Sequence, residues 1–294
     1  MRSGGYLIGQ NGSLMDSTAI RRALQVNYRN LALGHEVFER PGATFVRDLS
    51  LARIYDANFV FDVSASTPEA VRALMNEAES EYRDAERLTF LCDAFTPPAF
   101  EARLALDGFE QRTALVLLLE GALSRNASKA DVREVRTSAD WDDYRRLKQI
   151  DWRDHAARFG MDADPQIAND LATAGRLKSP PVRYLLAYID DRAVGYCQGW
   201  HGLEACGQVE DLFVDPAVRH RGVATALLHA AVDFARAGGA GPVVIVADPT
   251  DTPKSMYAAL GWRPVALMRQ WGRNRIAAVA PVPARPEPER SNGE

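Results

Sequence analysis

The stretch Val209-Glu-Asp-Leu-Phe-Val-Asp-Pro-Ala-Val-Arg-His-Arg-Gly-Val-Ala-Thr225 decides the fold of the second half of the chain. Its first part is apolar, ends at Asp215-Pro216, and predicts a β-strand over 208–214. Apolar residues then recur at helical spacing and predict an amphipathic helix over 221–236, which Gly238-Gly239 ends. A strand, a basic turn with one glycine and a helix are therefore expected in direct succession.

The basic turn has the properties of an anion-binding site. The first N–H groups of a helix have no intrahelical partner, and the helix dipole adds positive potential there. Gly222 lets the backbone approach a ligand closely, and Ala224 adds little bulk. Arg219 and Arg221 supply positive charge. A diphosphate fits such a turn.

The remaining pattern predicts a mixed α/β chain of two units. We expect a flexible N-terminus at 1–16, a first domain at 17–128, a second at 129–280 and a disordered tail at 281–294. Strands are predicted at 44–46, 58–63, 88–92, 113–119, 132–135, 182–189, 192–198, 208–214, 243–247 and 265–270. Helices are predicted at 17–39, 68–82, 98–106, 138–150, 164–174, 221–236 and 252–260.

The two units share short motifs. Leu106-Asp-Gly-Phe109 precedes a predicted strand, as Leu260-Gly-Trp262 does in the second unit. One predicted strand ends at Asp93 and another at Asp248, at nearly the same offset. We interpret the chain as a duplicated α/β unit whose copies have diverged.

Composition excludes several classes of protein. The 294 residues carry a formal net charge of −4, which argues against a nucleic-acid binder and favours a cationic substrate. No apolar run is long enough to span a membrane. Three scattered cysteines do not make a disulfide framework, so a reducing, cytoplasmic setting is expected. Metal-ligand spacings such as C-x-x-C or H-E-x-x-H are absent from the sequence, and no metal is expected.

Residues 131–275 resemble the GCN5-related N-acetyltransferase (GNAT) superfamily. Its pyrophosphate loop, Q/R-x-x-G-x-G/A, matches Arg219, Gly222 and Ala224. The resemblance implies a fold of two tandem GNAT-like domains with acetyl-CoA as cosubstrate. It implies that the diphosphate is bound by the loop residues Arg219, Arg221, Gly222, Val223, Ala224 and Thr225. The preceding strand residues that would pair with the pantetheine arm are Leu212, Phe213 and Val214.

The resemblance also implies the catalytic residues. Tyr257-Ala-Ala-Leu-Gly-Trp262 matches a late motif whose tyrosine protonates the leaving thiolate, so Tyr257 is the candidate acid. Glu-Asp-Leu-Phe-Val resembles the strand of polyamine acetyltransferases in which the glutamate handles the amine, so Glu210 is the candidate base, directly or through water. Because side chains alternate along a strand, only one of Glu210 and Asp211 is expected to face the cleft directly. Asp211 would then position the substrate or cap a loop.

Two further residues, Trp200 and His201, stand near a predicted strand end and are candidates for lining the acceptor pocket. Acceptor pockets in this superfamily are built from early helices and loops, here about 141–176 and 199–207.

The first unit lacks the features of a cofactor site. The stretch 64–71 occupies the position of the diphosphate turn, and the acidic Glu69 within it would repel phosphate. Leu104 stands where the second unit has Tyr257. We therefore interpret the first unit as a degenerate GNAT-like domain without cofactor that packs on the active unit and walls its acceptor pocket.

The leading interpretation is an enzyme that acetylates a primary amine of a small molecule by direct attack in a ternary complex. A mycothiol-synthase-like enzyme and a protein-lysine acetyltransferase remain alternatives. A non-catalytic acyl-CoA sensor is an alternative of another class, although a sensor needs no proton relay such as Glu210 and Tyr257. Both a monomer and a homodimer remain open.

Replacing Arg221 and Gly222 together with acidic residues should abolish acetyl-CoA binding, because negative side chains would then stand where the diphosphate is expected. Titration calorimetry with acetyl-CoA measures this directly. An unchanged affinity in the double variant would refute the assignment of the loop.

Overall fold

The computed structural model describes residues 16–124, 130–239, 241–250 and 253–275. The helices are α1 (Ser17–Ala32), α2 (Pro68–Glu81), α3 (Pro98–Leu106), α4 (Ser138–Phe159), α5 (Pro165–Leu177), α6 (Val223–Ala237) and α7 (Pro253–Leu260). The strands are β1 (Glu36–Arg40), β2 (Ala43–Arg47), β3 (Phe59–Phe61), β4 (Arg87–Cys92), β5 (Glu110–Leu119), β6 (Asp131–Glu134), β7 (Val182–Ile189), β8 (Arg192–Leu203), β9 (Cys206–Val214), β10 (Val243–Ala247) and β11 (Arg263–Asn274). The predicted tail, nearly all of the predicted flexible N-terminus and the boundary at 128/129 lie outside the described residues.

All eleven strands form one mixed sheet in the order β1-β2-β3-β4-β11-β5-β10-β9-β8-β7-β6. The pairs β3–β4 and β9–β10 are parallel, and the other neighbours are antiparallel. The predicted mixed α/β fold is thereby confirmed. No helix in the described ranges is long and apolar enough to cross a membrane.

The two halves of the chain exchange strands at the middle of the sheet. The last strand of the second half, β11, lies between β4 and β5 of the first half. The last strand of the first half, β5, lies between β11 and β10 of the second half. Each half therefore needs a strand from the other to complete its hydrogen-bond ladder, since unpaired buried strand edges are costly.

Helices cover both faces of the sheet. On one face, α1, α4 and α5 pack over a core that runs through both halves. On the other face, α2 and α3 cover the first half, and α6 and α7 cover the second. Trp271 of β11 illustrates the exchange, because it is buried in the α2–α3 core of the first half.

Several local features recur in both halves, as expected of a duplicated unit. Gly108 and Gly261 both have positive φ after a helix (+76° and +116°). The N–H of Phe109 donates to the carbonyl of Leu104 at 3.0 Å, and Trp262 donates to Tyr257 in the same way at 3.0 Å. Such left-handed glycines end helices without steric cost.

Positive φ also recurs at an aspartate beside the parallel strand pair of each half, Asp62 (+54°) and Asp211 (+59°). Matching these two aspartates makes Phe61 the first-half counterpart of Glu210.

The predicted helix over 17–39 is wrong in its second part. Asp16 caps α1, its carboxylate accepting from the Thr18 N–H at 3.0 Å, but α1 ends at Ala32. Gly34 then has φ +83°, which an ongoing helix does not allow. The residues that follow pair as β1 with β2 around a turn at Gly42 (φ +93°). The residues of β1 adopt an extended conformation because they pair with β2, and the periodicity of a single segment does not reveal such pairing.

Trp271→Ala should lower the free energy of unfolding of the whole chain by about 3–5 kcal/mol, because it empties a large buried site. The indole N–H, which donates to Glu101 at 3.0 Å, is lost as well. Urea unfolding followed by far-UV circular dichroism measures the change.

Leu267→Ala, on the same strand and 49% exposed, is the matched control and should change stability by no more than about 0.5 kcal/mol. Equal effects of the two substitutions would contradict the role given to β11 in the first-half core.

Candidate functional site

The parallel strands β9 and β10 diverge soon after they begin. They pair only at Gly207–Val243 and Gln208–Val244, although β9 continues to Val214 and β10 to Ala247. The remaining backbone edge of β9 towards β10 has no ladder partner in the described sheet. A gap between two strands is thus built into the middle of the second half.

Glu210 lies at this gap. Its carboxylate Oε2 accepts hydrogen bonds from the Val246 N–H at 3.2 Å and from Gln208 Nε2 at 3.3 Å. Burial raises the pKa of Glu210 to about 7. A carboxyl group with a pKa near neutrality can take up and release a proton under physiological conditions, which is the property of a general base.

Asp211 does not follow the expected alternation. Its φ of +59° and a shift in the β8–β9 register at this point form a bulge. Both Glu210 and Asp211 therefore line the same cavity, because a bulge re-aims a side chain. The expectation that only one of them faces the cleft is wrong for this reason.

The Asp211 carboxylate is already occupied by partners from α4. It accepts from Tyr144 Oη at 3.0 Å and from Lys148 Nζ at 2.6 Å. Gly175 of α5 allows this arrangement, since a Cβ there would lie 2.7 Å from Tyr144 Oη. Asp211 thus serves to anchor α4 on the bulge beside Glu210.

A cavity of about 850 Å³ lies on the α1–α4–α5 face of the sheet and contains both acids. Its floor runs from Leu91 on β4 to Gln198 on β8. The second half contributes α4 and α5, which lie in the predicted range 141–176. The first half contributes α1, the short turn around Asp56, and β5. The walls of the cavity therefore come from both halves of the chain.

The start of α6 differs from most helix starts in this chain. Its N-cap is Gly222 (φ +81°), and no side chain caps it. The first three helical residues are Val223, Ala224 and Thr225, whose N–H groups no intrahelical carbonyl can reach. In the first half, Thr67 occupies the matching position and its Oγ1 accepts from the Ala70 N–H at 3.2 Å. The first-half helix is therefore closed by its own side chain.

The two arginines of the loop have different surroundings. Arg219 donates from Nη2 to Asp154 at 2.9 Å and from Nε to the Val214 carbonyl at 3.1 Å, so it ties the loop to α4 and β9. Arg221 is exposed beside the start of α6.

Of the five predicted catalytic and acceptor-binding residues, three lie away from the cavity lining. Tyr257 is buried between α6 and α7 on the opposite face, with its ring 5.8 Å from that of Trp262. Trp200 is buried in the core. His201 packs on Phe234 at 4.2 Å between ring centroids. Trp200 and His201 therefore do not line the cavity that contains Glu210.

The structure adds charged residues that sequence reasoning missed, namely Asp56, Lys148 and Lys178. Lys148 is almost fully buried, with 9% of its side chain exposed. A charged residue on a helix is ordinarily assigned to solvent. The available signal was weak: Lys148 lies one helical turn after Tyr144, on the side of α4 that faces the sheet.

In the described part of the chain, no group of three or more His, Cys, Asp or Glu is placed to hold a metal ion.

A family match assigns the second half of the chain to the acyltransferases. Residues 141–262 match the model of the acetyltransferase (GNAT) family. The second half of the chain accordingly belongs to the GNAT acetyltransferase family. A search of the curated proteins found no match.

Solved structures show the same fold across both halves. A conserved protein of unknown function from Staphylococcus epidermidis is 18% identical with a TM-score of 0.63, over 85% of this chain and 98% of its own. A GCN5-related N-acetyltransferase from Kribbella flavida is 14% identical with a TM-score of 0.60, over 86% and 95%. A tandem GNAT protein from the clavulanic acid biosynthesis pathway is 15% identical with a TM-score of 0.52, over 70% of each chain. At these identities the likeness concerns the fold.

The raised pKa of Glu210 predicts how stability depends on pH. The folded state holds the Glu210 proton more tightly than the unfolded state, whose carboxyl titrates near 4.5. The free energy of unfolding contributed by this group therefore falls as pH rises from about 4.5 through about 7. Glu210→Gln should remove this loss. The free energy of unfolding of the variant minus that of the parent should therefore be about 1–3 kcal/mol larger at pH 8 than at pH 5.

Urea unfolding of both proteins at pH 5 and pH 8 tests this. Glu204→Gln, on the exposed turn between β8 and β9, is the control and should show no such pH-dependent difference. A stability difference for Glu210→Gln that does not change with pH would contradict the burial of this carboxyl group.

Proposed function

We propose that the chain transfers the acetyl group of acetyl-CoA to a primary amine of a small molecule, by direct attack in a ternary complex. The observation that carries the proposal is the position of Glu210, a half-buried carboxyl group at the gap between β9 and β10 that opens to the large cavity. Desolvation there raises its pKa to about 7. A base at that place can receive the proton of an ammonium group in the cavity.

The opposite side of the gap suits the cosubstrate. The uncapped N–H groups of Val223, Ala224 and Thr225, together with exposed Arg221, would bind the diphosphate of coenzyme A. The unpaired edge of β9 over 212–214 would pair with the amide groups of the pantetheine arm. This arrangement would bring the thioester into the gap beside Glu210.

The residues then divide the proton work. Glu210 takes a proton from the ammonium, so that the amine nitrogen can form a bond to the thioester carbon as the carbon–sulfur bond breaks. The Val214 N–H donates a hydrogen bond to the thioester oxygen, where negative charge develops. Tyr257, from the α7 side of the sheet, gives its proton to the departing sulfur at the gap. The cycle closes when the Tyr257 oxygen takes up a proton from solvent and Glu210 releases to solvent the proton that it took from the amine.

We propose further that the first half binds no cofactor and instead walls the acceptor pocket. Phe61 occupies the counterpart position of Glu210, and Leu104 that of Tyr257. The matching helix start carries its own side-chain cap. Because the strand exchange completes both halves of the sheet within one chain, a monomer is sufficient to form the site.

A panel of amines assayed with acetyl-CoA by release of the free thiol tests the function. Glu210→Gln should lower kcat by about 10²–10⁴-fold and abolish the rise of kcat/KM with pH centred near pH 7. Its acetyl-CoA affinity, measured by calorimetry, should stay near that of the parent, because Glu210 faces the acceptor.

Glu204→Gln should behave like the parent in every assay. If no amine in the panel releases thiol above background, the proposed reaction is refuted. If Glu210→Gln retains its kcat within a few-fold, another group is the base.

A further inference from the structure

Among the charged groups of the cavity that have no ion-pair partner within the residues that the structure describes, Arg112 and Asp248 are exposed. Asp56, Lys178 and the proposed base Glu210 are half-buried. The Asp56 carboxylate makes neither a hydrogen bond nor an ion pair there. Lys178 Nζ has a single hydrogen bond, to the Asn30 side-chain oxygen at 3.3 Å. Lys148, by contrast, is paired with Asp211 at 2.6 Å, and the His35 ring lies 3.2 Å from the Asp48 carboxylate.

Asp56 and Lys178 are both held by rigid surroundings. Asp56 belongs to the segment 48–58, whose carbonyls are bound by one side chain: Asn58 Nδ2 donates to Asp48, Leu51 and Ile54 at 3.0–3.2 Å. The same segment packs its apolar residues on Ala174 of α5. The Asp56 carboxylate is therefore not on a free loop.

Lys178 is the C-cap residue of α5. The end of α5 rests against the first half at Gly34, where a Cβ would lie 2.6 Å from the Leu177 carbonyl oxygen. Arg53 also binds Asp164 at the start of α5, at 2.6 Å. Contacts at both ends of α5 thus fix Lys178 relative to the first half.

Burial disfavours the charged forms of both groups. It raises the pKa of Asp56, and it lowers the pKa of Lys178 even though Asp56, Asp211 and Glu210 all attract the ammonium. Both side chains are half-buried, and a partly desolvated charge is stabilised when a ligand or partner neutralises it. A ligand that carries one positive and one negative group would neutralise both Asp56 and Lys178.

We propose that the acceptor is a zwitterion, an amino acid or a close derivative, whose carboxylate binds Lys178 and whose amino group lies between Asp56 and Glu210. This rests on the proposed function for the fate of the amine, but the binding of the zwitterion does not require acetyl transfer. A diamine would be repelled by Lys178 and leave it unpaired. A simple monoamine would satisfy the acids alone. The first half, through Asp56, thereby helps to select the substrate.

The test compares L-amino acids with the amines that lack only the carboxylate, such as lysine with cadaverine, phenylalanine with phenethylamine and histidine with histamine. With the full-length protein, the best amino acid should exceed its amine partner in kcat/KM by about 30-fold or more, because the amine leaves the half-buried Lys178 ammonium unpaired. Lys178→Met should remove this preference by lowering kcat/KM for the amino acid only. Lys178→Arg should restore part of it.

Arg176→Met is the matched control, because it removes an exposed positive charge two residues earlier and should change neither series. A preference for the carboxyl-free amines, or a Lys178→Met variant that treats both series as the parent does, would overturn the proposal and leave acetyl transfer standing.

Calorimetric binding of the same amino acids, without acetyl-CoA, separates the two proposals. Binding that Lys178→Met abolishes, in a protein that acetylates nothing in the panel, would support the zwitterion pocket and refute the transfer reaction. Absence of both binding and turnover would refute both.

Discussion

The antiparallel pairing of β5 with β11 is the interaction on which the rest of the molecule depends. Each of these strands leaves its own half and fills a place in the ladder of the other. The pairing turns two α/β units into one continuous sheet, and it places Trp271 of the second half in the core of the first. The cavity floor crosses this junction, since Ala114 of β5 and Met268 of β11 both line it. A cavity shared by the halves is a direct result of the exchange.

A bulge in β9 places two acids, Glu210 and Asp211, in the same cavity. The positive φ of Asp211 turns its side chain to the same cavity as Glu210, and the α4 residues Tyr144 and Lys148 hold it there. Glu210 is left with neutral donors only, from Gln208 and Val246. Hydrogen bonds from neutral groups do not offset the cost of burying its charge, and the pKa of Glu210 rises accordingly. The ion pair with Lys148 thus holds the Asp211 side chain in place, while a pKa of about 7 leaves Glu210 able to exchange a proton near neutral pH.

Local sequence patterns predicted most of the elements and the family. The helix predicted over 68–82 is α2, and the strand predicted over 243–247 is β10, because cap residues and apolar runs act within a few residues of themselves. The proposed diphosphate loop and the candidate base Glu210 are assigned by resemblance to a motif confined to one strand, turn and helix. The prediction of a helix over 17–39 is wrong after Ala32, because Glu36–Arg40 pair with β2 as a strand.

The acceptor side of the site could not be predicted in the same way. Asp56 and Lys178 come to line the same cavity because α5 packs on the segment 48–58. This contact joins distant parts of the chain, and no local periodicity encodes it. The bulge at Asp211 was also missed, because an aspartate inside an apolar strand carries no mark of a left-handed backbone. In both cases tertiary contacts, rather than local preference, fix the position of a charged group.

The three carbonyls gathered by Asn58 have a consequence for how this enzyme could diversify. These hydrogen bonds hold the turn that bears Asp56 in shape from within the segment 48–58. The segment belongs to the half of the chain that holds none of the proposed transfer residues. Changes at the exposed or cavity-facing positions of that segment could retune which molecules are accepted, while the acyl-handling parts of the protein stay untouched. If the chain arose by duplication, the copy that lost its cofactor site would then have been free to evolve towards selecting the substrate.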